Sequence, residues 1–225
     1  MLLGLCAWLA ALSGGQGARA GALGFVQETA LSAKPDWTYD VLDEIYDPDV
    51  EPPQGTELGC AASAAGDVNG DGVADAVIGA DKFYNNAGER GGAAMLFFGN
   101  ASTGLSKHPD WMADGAKGSL FCSAVSGAGN VNGDAYDDIL VGAYNYKPAD
   151  LLPEAGAVYV YHGGGNGPGS VADWQYNSSQ REANLGWSVG AAGDVNGDTF
   201  ADIIVGAPLF DAISTTHLSE GAVVV

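Results

Sequence analysis

A chain of 225 residues with 28 acidic against 8 basic side chains, a net charge of −20, repels phosphate backbones and anionic lipid, so neither nucleic acid nor a membrane surface is an expected partner. With 47% hydrophobic residues, 35 glycines and only 9 prolines it can bury a core, and its composition excludes a disordered or Pro-rich chain.

The first twenty residues, MLLGLCAWLAALSGGQGARA, read as a signal peptide over 1–20. Leu2 to Leu12 is an apolar run too short to span a bilayer, which needs about 20 residues. Ala18-Arg19-Ala20 has the A-x-A form of a cleavage site. The other reading of this run is a buried first strand or helix. No later stretch approaches spanning length, so no membrane span is expected, and the protein is expected to be secreted or to face the extracellular side of the cell surface. Residues Asp36 to Glu51 hold seven acids and no base, and the acidic insert Asp40 to Pro53 is read as a solvated loop, with a binding loop as the alternative.

From residue 58 the chain repeats. Leu58 to Gly66 (LGCAASAAG) alternates small and apolar residues and reads as a strand. It runs into GDVNGDGVADAVIGA (66–80), then GAAMLFFG (92–99), then PDW ending at Trp111. The same order recurs as FCSAVSGAG (121–129), GNVNGDAYDDILVGA (129–143), GAVYVYHG (156–163) and ADW ending at Trp174. It recurs again as LGWSVGAAG (185–193), GDVNGDTFADIIVGA (193–207) and GAVVV (221–225). The motif starts at Asp67, Asn130 and Asp194, spaced by 63 and 64 residues. The branched and aromatic runs bounded by glycine are strands, about three or four per unit. That period fits one blade of a propeller, with a solenoid as the structural alternative. The expected organisation is a partial unit before 58, repeats over about 58–120 and 121–184, and a truncated one over 185–225, together forming residues 21–225. A chain ending inside a strand after about three units is expected to be a fragment of a longer protein or a self-associating piece.

Each motif places oxygen donors at positions 1, 3, 5, 7 and 9 of a tight loop. The first set is Asp67, Asn69, Asp71, the Val73 carbonyl and Asp75. The second is Asn130, Asn132, Asp134, the Tyr136 carbonyl and Asp138. The third is Asp194, Asn196, Asp198, the Phe200 carbonyl and Asp202. Hard oxygen donors in this number suit Ca²⁺, whereas Zn²⁺ would want Cys or His. Position 12 is Ile78, Val141 or Val205, which excludes an EF-hand, whose loop ends on a bidentate Glu. The competing reading is an Asx-rich hairpin turn. The middle loop, with Asn130 in place of an acid, is expected to hold the ion least well. Asp137 is expected to face away from its loop.

Leu58-Gly59, Phe121-Cys122 and Leu185-Gly186, the DxNxDxxxD loops, and Gly79-Ala80, Gly142-Ala143 and Gly206-Ala207-Pro208 together resemble the FG-GAP repeats of integrin α-subunit β-propellers. The resemblance implies an all-β fold, a β-propeller with about three blades of an incomplete seven-bladed ring, with calcium loops on one face and partners on the other. It also implies a calcium-binding adhesion or ligand-binding module whose partner is an extracellular protein or glycan, with a second subunit as a further candidate partner. FG-GAP repeats also accompany phospholipases, so a non-catalytic part of a secreted hydrolase is a second reading and a propeller lectin a third. No nucleophile–base or metal–base pattern surrounds His108, His162 or His217, so no enzyme is expected.

Phe83, Tyr84, Tyr144, Tyr146, Leu209 and Phe210 lie in the loops where partner binding would sit by analogy, with packing between blades as the equal alternative. Asn100 and Asn177 head N-x-S sequons and are expected to be glycosylated, both in polar loops just outside strands. Cys60 and Cys122, one place out of step relative to their motifs, are expected to be buried thiols on opposed faces that do not pair.

Overall fold

The structure is a computed structural model that describes residues 57–84, 88–148, 152–211 and 221–224. The chain divides into two units, Met1–Asp36 and Trp37–Val225, and every described residue lies in the second. The expected signal peptide, the acidic insert and His217 therefore fall outside the described residues.

No helix occurs among them; there are eleven strands in three antiparallel sheets. The first sheet is the meander β1 (Leu58–Gly66), β2 (Asp75–Ala80), β3 (Ala93–Phe97) and β4 (Trp111–Asp114). The second repeats it as β5 (Ala124–Gly129), β6 (Asp138–Ala143), β7 (Ala157–Tyr161) and β8 (Trp174–Asn177). The third has β9 (Ser188–Gly193), β10 (Asp202–Ala207) and β11 (Ala222–Val224), with β10 in the middle. These repeated meanders have the form of the expected propeller blades, and among the described residues they do not close into a ring. The first strands, β1, β5 and β9, stand side by side from blade to blade. Each oxygen motif is the hairpin between a first and a second strand, and its position 9, Asp75, Asp138 or Asp202, opens the second strand.

The blades are held by apolar residues that cross from sheet to sheet. Val77, Leu96, Trp111 and Phe121 pack with Ile139, Val141 and Tyr161 in one buried cluster. The Phe121 ring meets Tyr159 edge-on at 5.2 Å, and Trp111 meets Tyr161 edge-on at 5.0 Å. The Trp111 Nε1–H also donates to the Gly169 carbonyl at 2.8 Å. Aromatic pairs of this geometry add about 0.5–1.5 kcal/mol beyond the area they bury. A second cluster joins Leu140, Val158 and Val160 of the second blade to Leu185, Val205 and Ala207 of the third.

The second sheet is the best covered: all six residues of β6 are buried. In the third sheet, among the residues whose side chains are described, only Val205 and Ala207 of β10 are buried. The difference also shows on the outer strands. Trp111 of β4 is 9% exposed, whereas Trp174 of β8 is 45% exposed and lies stacked on Tyr176. Tyr161 and Gly169 of the second blade shield Trp111. The described part of the third blade brings no equivalent over Trp174, which instead lines an apolar cleft of about 670 Å³ with Val158, Val160 and Ile203.

The structure corrects two sequence expectations. Cys122 is buried as expected, but Cys60 is exposed, because an irregularity in β1 between Leu58 and Ala61 turns it out of the ladder. Asn177 is the last residue of β8, paired with Ala157, and not in a loop outside a strand; its side chain accepts from Gln175 Nε2 at 2.7 Å. Asn100 does lie in an exposed turn, where its Oδ1 accepts the Ser102 amide at 2.9 Å. The aromatics of the connecting loops serve mostly as packing. Phe83 is buried, Tyr144 lies against Trp187 at 4.6 Å and Tyr146 meets Tyr159 edge-on at 6.2 Å. Tyr84, under the Arg90 guanidinium, and Leu209 stay exposed.

Candidate metal loops

The loop sequence dictates a shared geometry. Asp, Asn and Gly favour turns because short polar side chains bond backbone amides two residues on and glycine accepts positive φ. In the first loop, Asp67 accepts the Asp71 amide at 2.9 Å through Oδ1 and the Gly72 amide at 2.8 Å through Oδ2. Asn69 Oδ1 takes the Asp71 amide at 2.9 Å, and Asp71 Oδ1 takes the Val73 amide at 2.8 Å. The third loop copies this: Asp194 accepts from Gly197 at 2.6 Å and Thr199 at 2.9 Å, Asn196 from Asp198 at 2.8 Å, and Asp198 from Phe200 at 2.9 Å. Those amides hold the exposed Asp194 carboxyl below its ordinary range, with Thr199 first among them.

The middle loop departs at its first position. Asn130 Oδ1 accepts the Gly133 amide at 2.7 Å, but its Nδ2 donates to the Asp134 carbonyl at 2.6 Å. An amide group thus occupies the place a second carboxylate oxygen has in the outer loops. Asn132 and Asp134 keep their partners, the amides of Asp134 and Tyr136, at 3.0 and 2.7 Å. Gly70, Gly133 and Gly197 have φ of 75°, 78° and 80°, the turn conformation expected of the motif.

Position 9 behaves differently from the others. Asp75 is 2% exposed and spends Oδ2 on the Val68 amide and Oδ1 on the Gly99 amide, both at 2.8 Å. Asp138, fully buried, does the same with Val131 at 2.8 Å and Gly163 at 2.9 Å. Asp202 takes the Val195 amide at 2.8 Å. Burial raises the Asp75 and Asp138 carboxyls above the usual range, and the amides pull in the opposite direction. Asp75 and Asp138 thereby tie their loops to the residues that follow the third strand of their own sheet. A carboxylate oxygen has two lone pairs, so one remains on each oxygen after these bonds.

The donor sets are all oxygen, from Asp, Asn and a backbone carbonyl, with no Cys or His among them; that chemistry fits a hard cation such as Ca²⁺. Among the described residues no three His, Cys, Asp or Glu side chains form a metal-holding group, since the carboxylates turn toward loop amides.

Some contacts around the loops carried little signal in the sequence. Asp137 faces away from its own loop, as expected, and its Oδ2 accepts the Asp67 amide at 2.8 Å while its own amide donates to the Asp67 carbonyl at 3.1 Å. It thereby pins the second blade to the head of the first loop. Tyr136 covers Gly70: a Cβ there would stand 2.6 Å from the ring. Phe200 covers Gly133 in the same way, at 2.5 Å. The aspartate of the PDW echo also gains a role: Asp110 accepts the Phe98 amide at 2.7 Å and Asp173 the His162 amide at 2.8 Å. The periodic recurrence of PDW was the available signal for that role. His162 stands 3.9 Å from Asp173.

Comparison with known proteins converges on these repeats. The FG-GAP repeat family matches residues 123–161 and 185–225; the first sheet, outside that match, has the same four-stranded meander. The chain is 29% identical to integrin alpha-3 of Cricetulus griseus over 161 residues, 68% of this chain and 15% of that protein. It is 32% identical to integrin alpha-6 of Gallus gallus over 152 residues, 66% of this chain and 13% of that protein. It is 34% identical to phosphatidylinositol-glycan-specific phospholipase D of Bos taurus over 161 residues, 68% of this chain and 19% of that protein. The chain thus spans less than a fifth of each of these relatives.

Proposed function

We propose, starting from the fact that this chain is an FG-GAP repeat protein of the integrin α-subunit propeller type, that it is a calcium-binding adhesion or ligand-binding module working outside the cell. The observation that carries this reading is the recurrence of one all-oxygen loop three times in register, each opening the middle of a sheet. Bound calcium would be held by Asp67, Asn69, Asp71 and the Val73 carbonyl, by Asn130, Asn132, Asp134 and the Tyr136 carbonyl, and by Asp194, Asn196, Asp198 and the Phe200 carbonyl. Asp75, Asp138 and Asp202 would offer their remaining lone pairs. The ion would neutralise carboxylates crowded into a short turn and so stiffen the hairpin beneath each sheet. The partner is an extracellular protein or glycan, reached after export directed by residues 1–20, with Asn100 and Asn177 as glycan carriers.

Thermal melts in millimolar Ca²⁺ and in EDTA test this reading. At the Kd of extracellular modules, about 10⁻⁴ to 10⁻³ M, each occupied loop adds roughly 0.4–1.4 kcal/mol. Equal melting temperatures would refute it. Asn130→Asp should tighten the weakest site in a calorimetric titration, because it adds a third acidic ligand to that loop.

The likeness to a phospholipase D supports a second reading, a non-catalytic propeller segment of a hydrolase. No catalysis is assigned to this chain under either reading. Purified chain that cleaves a glycosylphosphatidylinositol-anchored substrate would contradict both. A glycan array alongside a cell-surface pull-down separates a lectin from a protein-binding module.

A further inference from the structure

We propose that Cys60 and Cys122 form a disulfide site that joins the first blade to the second, closed by thiol–disulfide exchange with a low-molecular-weight disulfide. The sequence places the two residues out of step, on opposite faces of equivalent strands. The irregularity in β1 removes that mismatch. Leu58 pairs with Ala80 and Ala61 with its neighbour Gly79, so Gly59 and Cys60 are both extra residues outside the ladder, and the local bend, not strand alternation, sets where the Cys60 side chain points. Gly59 has φ 83°, the Cys60 amide folds back onto the Glu57 carbonyl at 3.0 Å, and Cys60 Sγ comes to 3.6 Å from the Cys122 carbonyl oxygen on the neighbouring blade.

Two further features bring the thiols together. Cys122 has φ 71°, in the place held by Gly59 (φ 83°) and Gly186 (φ 85°) in the other repeats. A side chain is costly in that conformation and persists where the surroundings demand it. Gly79 leaves the space for it: a Cβ at Gly79 would stand 2.4 Å from the Cys122 carbonyl and 3.0 Å from its Sγ. The sulfurs then sit beside consecutive backbone amides of β2 and its turn, Cys122 beside Ala80 and Cys60 at 3.4 Å from Asp81 N. Apart from Cys6, in the expected leader, these are the chain's only cysteines.

Exposure sets the order of events. Cys60 is open to solvent and Cys122 is fully buried. The Cys60 thiolate attacks one sulfur of the small disulfide, forming a mixed disulfide and releasing one thiol. The Cys122 thiol then loses its proton and its sulfur attacks Cys60 Sγ. The second small thiol departs and takes up a proton. Two protein thiols are oxidised and one small disulfide is reduced to two thiols. Calcium in the loops is not required for this pairing.

The test is incubation of the folded chain with oxidised glutathione, followed by thiol counting after denaturation and mass spectrometry of an unreduced digest. The expected result is joint loss of both thiols, an intact mass lower by two hydrogens and a linked Cys60–Cys122 peptide. Cys122→Gly, the residue the other repeats carry there, should instead accumulate a stable glutathione adduct on Cys60. Cys60→Ser should leave the Cys122 thiol unreacted in the folded state. A wild-type chain that stops at the Cys60 adduct with Cys122 free, or that forms Cys60–Cys60 dimers, would overturn the proposal.

Discussion

Asp81 shows how a single carboxylate can oppose the fold around it. Its Oδ1 is buried without a hydrogen-bond partner, and Glu57, itself paired with Lys82, adds like charge. Burial, then Glu57, lifts its carboxyl above the ordinary 3.8. A carboxyl raised on folding contributes stability below its unfolded value, and loses that contribution as pH rises through its folded value. At neutral pH it is therefore an ionised group held in a poor place. Asp81→Asn should raise the melting temperature at pH 7, with a gain in stability of less than about 1 kcal/mol because the group is partly solvated. The gain should vanish below about pH 4, where the wild-type carboxyl is itself neutral. A variant whose advantage is the same at pH 3 and pH 7 would show that charge is not the cause.

The oxygen loops are elements coupled to their neighbours, and glycine substitutions separate local strain from that coupling. Gly197 has φ 80° and nothing within 4 Å of where a Cβ would stand, whereas Gly70, at φ 75°, would drive a Cβ to 2.6 Å from the Tyr136 ring. Gly197→Ala should cost only the backbone strain of a left-handed residue, about 1–2 kcal/mol. Gly70→Ala should cost that plus the displacement of Tyr136, about 1–3 kcal/mol more. Urea denaturation of the two variants measures the difference. Equal losses would mean that Tyr136 moves aside freely and that the first loop is not coupled to the second.

Burial is graded across the whole molecule. The second sheet is packed on both sides, while the third is covered mainly where Val205 and Ala207 meet Leu140 and Val158. Local opening needs least free energy where few apolar contacts must break. Native-state hydrogen exchange should therefore find the amides of Ile139 to Gly142 protected to near the global limit and those of Ile203 to Gly206 exchanging well before it. The tryptophans should report the same gradient: a collisional quencher should reach Trp174 and Trp187, 45% and 54% exposed, before Trp111 at 9%. Uniform protection across both sheets would show that the blades open only as one unit.

By itself the sequence determined the repeating unit, the strand positions, the loops that join them and the oxygen sets they carry. Each of these is a local matter: two-residue alternation, branched runs ended by glycine, and Asx turns are decided within a few residues. The step at which Asp75, Asp138 and Asp202 open their strands was legible for the same reason. Only the tertiary structure decided that Asp137 clasps Asp67, that Tyr136 and Phe200 roof the preceding loop, that Trp111 is shielded while Trp174 is not, and that Cys60 reaches Cys122. Those contacts lie mostly between residues about one repeat apart. They depend on how the blades stand against one another and on one irregularity in β1, which identical local patterns leave undetermined.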